Sequence, residues 1–518
     1  MRALLVNPLF PDTYWSQRHA LPWVRRSCLI PPLGMITVAA MLPRHWTLEL
    51  VDMNVEPLND EAIARADVVL LTGMLAQRES LHEVLGRCRA AGVTTVVGGP
   101  YATSLPEDFE DADHVVVGEA EELIGDLAAD LEAGRARRFY REARKPGLDI
   151  TPVPRFDLLR RGAYHHMALQ FSRGCPFSCE FCDITTLFGH RPRTKTNEQV
   201  IAELDAIYAT GFRGEVFFVD DNFIGNKKAV RQLLPELARW RDAHDRPFTF
   251  YTEASMNLVQ DDALIESMTR AGFTAAFVGI ETPSENALRE THKLQNVRMD
   301  LVGSVHKLLE RGIDVWAGFI VGFDSEGRDI FDRMIRFVQN AAIPYAMVGI
   351  LHALPNTKLH ERLVREQRLI EIPAGGDQFG LTNFVTKMEP LTLLRGYKKV
   401  LETLYEPSVY FDRCRRNLER WKPTRFGSRP RTLTEYAAGI RSLFRQGRAD
   451  GYRREYNRFI RWVVTHHPAK LGRALGQAIA GHHYITYTRR TVIPRLERQI
   501  EQLTSRQELG ERAAHAGA

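Results

Sequence analysis

Six cysteines in 518 residues are too few for a disulfide framework, and three of them fall within eight residues. That bunching is wrong for a secreted scaffold and right for a metal site in a reducing compartment. Cys28, Cys88 and Cys414 stand apart and read as ordinary buried thiols. No stretch approaches the roughly eighteen uninterrupted apolar residues of a membrane span. The opening MRALLVNPLF has no basic region, long apolar run or cleavage site, so residence in the cytoplasm is expected. A solenoid repeat is also missing. With 44% hydrophobic and 26% charged residues, the chain reads as globular, with two or three domains. Its net charge of +5 is unevenly spread: residues 415–518 carry 22 Lys and Arg against 8 Asp and Glu, so the tail stands at +14 and the remainder at −9.

Residues 1–135 alternate apolar runs (RALLVN, LELVD, ADVVLLT, TTVVGG, DHVVVGE) with helical patterns such as LHEVLGRCRAAG. Strand and helix alternating about five times predict a doubly wound parallel sheet, with ligands beyond the carboxyl ends of its strands. The arginine- and proline-marked stretch 136–165 reads as a linker. Over 166–384 the runs HMALQFS, EVFFVDD, FTFYTEA, AAFVGIE, DVWAGFIVGF and YAMVGIL alternate with helices and fit a partial six-unit barrel. From 385 to 518 the strands stop and the sequence turns helical and basic. There Tyr452, Tyr456, Phe459, Ile460 and Val463 share one helical face, flanked by arginines.

SRGCPFSCEFCD sets Cys175, Cys179 and Cys182 at i, i+4 and i+7 directly after a strand, so one tight loop can wrap three thiolates around a cluster. Zinc is the other reading. A structural zinc site wants a fourth ligand, however, and His190 is the only imidazole close by. Three ligands for four irons leave one iron open to a chelating amino acid.

This loop resembles that of the radical S-adenosylmethionine superfamily, over roughly residues 165–370. The resemblance implies a 4Fe-4S cluster and S-adenosylmethionine. It gives Phe181 a backbone contact to adenine, Asp220, Asp221 and Asn222 the methionyl amino group, and Glu253 and Glu281 ribose or carboxylate contacts. Gly318 and Gly322 would let backbone approach adenine, and Leu354 follows the sixth strand as in relatives. Each has a plainer reading, because strand-end carboxylates often cap helices and glycines often mark close strand–helix packing.

VNPLF, PPLGMITVAAML, VVGGPYAT and VVVGEAEE resemble the class that carries a cobalamin-binding domain ahead of the barrel. That likeness points to Thr72, Gly73, Gly98, Gly99, Pro100, Gly118 and Glu119 as cobalamin contacts; a domain that merely packs is the alternative. The departure lies at Asp52-Met53-Asn54, where the class has Asp-x-His. Asn54 replaces the cobalt-ligating histidine and Pro57 precludes the usual turn, so cobalamin is expected without a histidine from this loop. His19 and His82 read as surface or core histidines.

Two such cofactors imply carbon methylation through a 5'-deoxyadenosyl radical and methylcobalamin, with an external reductant of flavodoxin or ferredoxin type. QFSRGCPFSCEFCDI, EVFFVDDNFIGNKKA, FVGIETPSENAL and LHALPNTKL are similar to the hopanoid methylases, which suggests a small or lipid-like substrate. Relatives that cyclise or rearrange rings without methyl transfer are the alternative, and a cobalamin sensor with a relic barrel is a different class again. The basic aromatic tail allows peripheral contact with an anionic membrane, although such faces more often pack on the parent domain. Nucleic acid is not expected, and the extra cysteines of the tRNA-methylthiolating relatives are absent.

Overall fold

The computed structural model describes residues 1–370, 382–427, 429–448 and 451–516, with side chains to 506. Its first sheet is wholly parallel. Strands β1 (Arg2–Asn7), β2 (Thr47–Asp52), β3 (Val68–Thr72), β4 (Thr94–Gly98), β5 (His114–Val117) and β6 (Phe139–Arg141) run in the order β2-β1-β3-β4-β5-β6. Successive side chains of a strand point to opposite faces, and both faces here are apolar. Leu4, Val6, Val69 and Leu71 therefore enter one core with helix α2 (Arg78–Ala91). Ala3, Leu5, Val68 and Leu70 enter a second core with α1 (Leu33–Met41) and α3 (Ile124–Glu132). This is the doubly wound sheet expected, with one correction. Residues 139–141 of the expected linker form its sixth strand, paired to β5 from Val115↔Phe139 to Val117↔Arg141.

The second sheet holds β7 (Met167–Leu169), β10 (Gly214–Phe218), β11 (Phe248–Glu253), β12 (Phe273–Glu281), β13 (Asp314–Val321) and β14 (Tyr345–Ile350), all parallel and paired in chain order. A short antiparallel pair, β8 (Ser172–Arg173) and β9 (Arg193–Thr194), brackets the cysteine loop. Between the strands lie α4 (Asn197–Ala209), α5 (Lys227–Ala243), α6 (Asp262–Ala271), α7 (Leu301–Glu310) and α8 (Ile330–Asn340). Val216 and Phe218 of β10 turn outward into the helix-covered core, while Glu215 and Phe217 turn into the lumen and stay half-exposed. β7 and β14 are the two ends of the sheet, so the barrel is open.

The tail closes part of that opening. It comprises α9 (Pro390–Leu404), α10 (Pro407–Arg420), α11 (Leu433–Arg445), α12 (Arg453–His466), α13 (Leu471–Tyr487) and α14 (Ile493–Ala516). α9 packs on α8, and the hydroxyls of Tyr397 and Tyr405 donate to the carbonyls of Val348 and Ala346 on β14. An edge strand is thereby covered by a helix that also satisfies its carbonyls. The aromatic face expected on residues 452–463 lies inward: Tyr456, Phe459, Ile460 and Val463 are buried, with the ring of Phe411 of α10 5.2 Å from that of Phe459. Where α13 crosses α10, a Cβ at Gly481 would collide with the ring of Tyr410, whose hydroxyl donates to the carbonyl of Gln477 at 2.8 Å. Gly481→Val is expected to overpack this crossing at a cost of about 1–3 kcal/mol. Limited proteolysis should then release the tail sooner; an unchanged cleavage rate would show that the crossing does not hold it.

Candidate active site

The cysteine loop is held open by backbone geometry. Gly174 lies at φ +98°, and a Cβ there would sit 2.8 Å from the carbonyl oxygen of Gly189 and 3.1 Å from that of Arg191. Only glycine fits. Asp220 and Asp221, at the end of β10, grip the loop from beneath. Asp220 accepts from the backbone N–H of Ser172 and, at 3.3 Å, of Phe171, and Asp221 accepts from Gly174 N–H at 2.9 Å. This corrects the expectation for Asp220, which is 1% exposed and spent on the loop rather than offered to a ligand.

Cys175, Cys179 and Cys182 line a cavity of about 180 Å³ together with Phe181, Asp221, Asn222, Glu253 and Glu281. Strand ends brought side by side by parallel pairing thus assemble eight of the expected residues. Among the described residues no three Cys, His, Asp or Glu side chains converge on one ion. Thiolates that each take a different corner iron do not need to. Asn222 Nδ2 lies 3.9 Å from Cys175 Sγ, and Gln295 Nε2 3.7 Å from Cys179 Sγ, donors suited to thiolate sulfur. Burial raises the thiols of Cys175 and Cys182, so an iron cluster would have to draw their protons off.

The cavity is short of cations. Burial, with Asp221 and Asp220 adding to it, pushes Glu253 up to about 8. Burial likewise takes Asp221 to about 6 and Asp220 to about 7 against the pull of their backbone donors. Lys293, which the sequence did not flag, lies beside them with its side chain 12% exposed and donates to Glu281 at 2.7 Å. Burial opposes its charge, but Glu281 and Cys179 outweigh that and hold the ammonium above the usual lysine range. Glu253 has no ion-pair partner among the described residues. A ligand carrying an ammonium and a sulfonium fits this deficit, and its carboxylate fits Lys293. Glu281 itself sits at φ +68°, at a break in the β12–β13 register.

Gly318 backs onto Phe277, whose ring would lie 3.0 Å from an added Cβ. Gly322 and Leu354 lie outside the cavity lining. Gly322 N–H donates to Glu326, and the carbonyl of Leu354 accepts from the hydroxyl of Thr357, whose side chain caps the helix that follows. In the first domain, Gly99 (φ +89°) leaves room for Thr72, Gly73 lies against Leu81, Gly98 against Val116, and Pro100 starts a helical turn. Asn54 accepts from Phe10 N–H at 2.8 Å and donates to Asp52 and to the carbonyl of Pro8. Its side chain is tied to its own loop through Asp52 and to the segment after β1 through Pro8 and Phe10. His82 stacks on Phe109, and His19 lies against His483. The loops after β1 and β3 nevertheless leave Leu9 43% and Met74 54% exposed, an apolar margin that a flat macrocycle would cover.

Gly118 and Glu119 depart from expectation. The missing Cβ of Gly118 makes room for Glu142, and Glu119 is buried between two guanidinium groups of the second domain. Arg173, one residue before Gly174, pairs with Glu119 and Glu121 at 2.7 Å each, and Arg193 pairs with Glu119 at 2.6 Å. All four side chains are less than 15% exposed.

The lumen behind the cavity is walled by aromatic rings. Phe217 stacks flat on Tyr251 at 4.5 Å, Tyr251 meets Trp316 at 5.0 Å, and Trp316 meets Tyr345 at 5.5 Å. Trp15, from the loop after β1, lies over Phe277 at 4.6 Å. Among the described residues the buried indole N–H of Trp316 has no acceptor.

Three family models match the chain. The B12 binding domain family matches residues 26–128, the radical SAM superfamily residues 169–338, and a domain of unknown function (DUF4070) residues 357–496. An uncharacterized methyltransferase of Synechocystis sp. is 40% identical over 514 residues, 98% of this chain and 96% of the relative. Hopanoid C-2 methylase of Rhodopseudomonas palustris is 34% identical over 374 residues, 71% of each. The structure of TsrM, a radical S-adenosylmethionine methyltransferase from Kitasatospora setae, with cobalamin and a [4Fe-4S] cluster bound, shares the fold. Its TM-score is 0.60 at 15% identity, over 90% of this chain and 99% of that one.

Glu119→Gln leaves two buried guanidinium groups short of a countercharge, a loss of about 3 kcal/mol. The variant is expected to unfold at lower temperature and to retain less iron, because the frame of the cysteine loop slackens; wild-type melting and iron content would refute this role.

Proposed function

The chain belongs to the cobalamin-binding radical S-adenosylmethionine enzymes, and on that premise we propose that it methylates an unactivated carbon of a polycyclic, lipid-like substrate of the hopanoid type. When bound, the 4Fe-4S cluster supplies the electron that cleaves S-adenosylmethionine, and cobalamin carries the methyl group. The protein's part is to bind, orient and keep dry. Cys175, Cys179 and Cys182 hold the cluster, and Asp220 and Asp221 fix their loop. Asp221 and Glu253 meet the cationic end of S-adenosylmethionine and Lys293 its carboxylate. Asn54 is held by Phe10, Asp52 and Pro8.

The observation that carries the substrate reading is the aromatic lumen. Phe217, Tyr251, Trp316 and Tyr345 form a row of touching rings on the inner side of the sheet, and Trp15 lies over Phe277, which borders the cavity. Rings stack well on rings and poorly on charged chains. The free indole N–H of Trp316 suits one hydrogen-bond acceptor on an otherwise apolar body. The 34% identity to a hopanoid C-2 methylase supports the same class. A reductant of flavodoxin or ferredoxin type supplies the electrons, and a substrate of this kind has to leave a bilayer to reach the lumen.

Anaerobic incubation with a strong reductant, methyl-labelled S-adenosylmethionine and polycyclic lipid extract is expected to yield labelled lipid, S-adenosylhomocysteine and 5'-deoxyadenosine together. 5'-Deoxyadenosine without S-adenosylhomocysteine would instead mean a ring-closing or rearranging enzyme. Phe277→Ala should lower kcat/KM for the lipid about ten-fold or more while leaving iron content unchanged.

A further inference from the structure

Helix α11 is packed inside out. Its inward face consists of the small or polar residues Ala438, Gly439, Ser442 and Gln446, with Ala438, Ser442 and Gln446 buried. Its outward face carries Leu433 at 88% exposure, Tyr436 at 57%, Ile440 at 56%, Leu443 at 42% and Phe444 at 55%. At 100° per residue these five large side chains fall within one stripe about 100° wide, opposite the buried face. A helix that hides its small residues and shows its large apolar ones has a partner outside the domain.

Charge identifies the partner. Arg441, Arg445 and Arg448 run along one flank of the stripe, and the Arg448 guanidinium lies 5.1 Å from the ring centre of Phe444. From Leu433 to Arg448 the one acid, Glu435, is turned inward and held by Arg429 and Thr432. A second copy of the chain would bring arginine flank against arginine flank with no acid between them. An anionic bilayer offers both things the stripe needs at once, acyl chains for the apolar row and phosphates for the exposed Arg445 and Arg448.

We propose that α11 is a membrane-docking helix, lying in the interface of an anionic lipid bilayer with Leu433, Tyr436, Ile440, Leu443 and Phe444 inserted. The surface relocates the membrane contact from residues 452–463, whose aromatic face is packed inside, and it holds whatever substrate the enzyme takes. It also bears on access. α11 rests on the segment Leu21–Val24, where Arg441 donates to the carbonyl of Trp23, and the chain leading into that segment carries Trp15 over the lumen.

The test is co-sedimentation of the full-length, iron-loaded protein with vesicles of mixed phosphatidylglycerol and phosphatidylcholine, or of phosphatidylcholine alone. The comparison variant combines Leu433→Ser, Ile440→Ser and Phe444→Ser, which leaves the buried face intact; circular dichroism and iron content should match wild type. Wild type is expected to pellet with the anionic vesicles, less so in high salt, and the triple variant to bind about ten-fold less. Arg448→Gln should weaken only the salt-sensitive part. No pelleting of wild type, or equal pelleting of the triple variant, overturns the proposal. So does a wild-type dimer in light scattering that the triple variant dissolves, which would assign the stripe to a second copy.

Discussion

Two cofactor-binding domains must be held in register, and the structure does this with buried charge. Glu119 and Glu121 leave the carboxyl end of β5 in the first domain and meet Arg173 and Arg193 on the hairpin that frames the cysteine loop. Desolvating four charges is costly, and the pairing repays it only in one geometry. The network therefore acts less as a source of stability than as a gauge. It sets where the loop of Cys175, Cys179 and Cys182 stands relative to the strand ends of the first sheet. Burial opposes the charge of Arg173, yet Glu121 and Glu119 hold its guanidinium above the usual range.

The remaining architecture follows from an incomplete barrel. The six strands do not close, β7 and β14 standing at the two ends of the sheet, and Phe217, Phe277, Trp316 and Tyr345 on its inner side stay half-buried. The same incompleteness leaves the edge carbonyls of β14 to be satisfied by Tyr397 and Tyr405 of the tail. Closure by helices instead of strands frees the outer side of the tail for another use, and α11 turns its apolar row there.

Features encoded locally were legible in the sequence. Runs such as VVLLT and TTVVGG spell buried parallel strands because both faces are covered, and the cysteine spacing is a chemical requirement confined to eight residues. Carboxylates at strand ends were legible as a group, but their division of labour was not. Asp220 and Asp221 are adjacent, and only tertiary hydrogen bonds show that one is spent on Ser172 and Phe171 while the other also faces the cavity. Glu119 was read as a cofactor contact because its arginine partners lie 54 and 74 residues away. Lys293 sits in a plain polar stretch with no spacing to mark it. The strand in residues 139–141 is only three residues long and set among arginines, so no apolar run announces it. For α11 and α12 the sequence shows an apolar face on each helix but not which side of the domain that face takes; one is buried and the other is not.

The central claim is that one chain holds a cluster and cobalamin in fixed register although Asn54 stands where a cobalt-ligating histidine would be. Its most direct test is the iron and cobalamin content of protein purified without oxygen from cells supplied with cobalamin. About four irons and about one cobalamin per chain are expected, with a cobalamin spectrum showing no histidine ligand. Four irons with no cobalamin retained, even after reconstitution, would contradict the account and leave the first domain with another purpose.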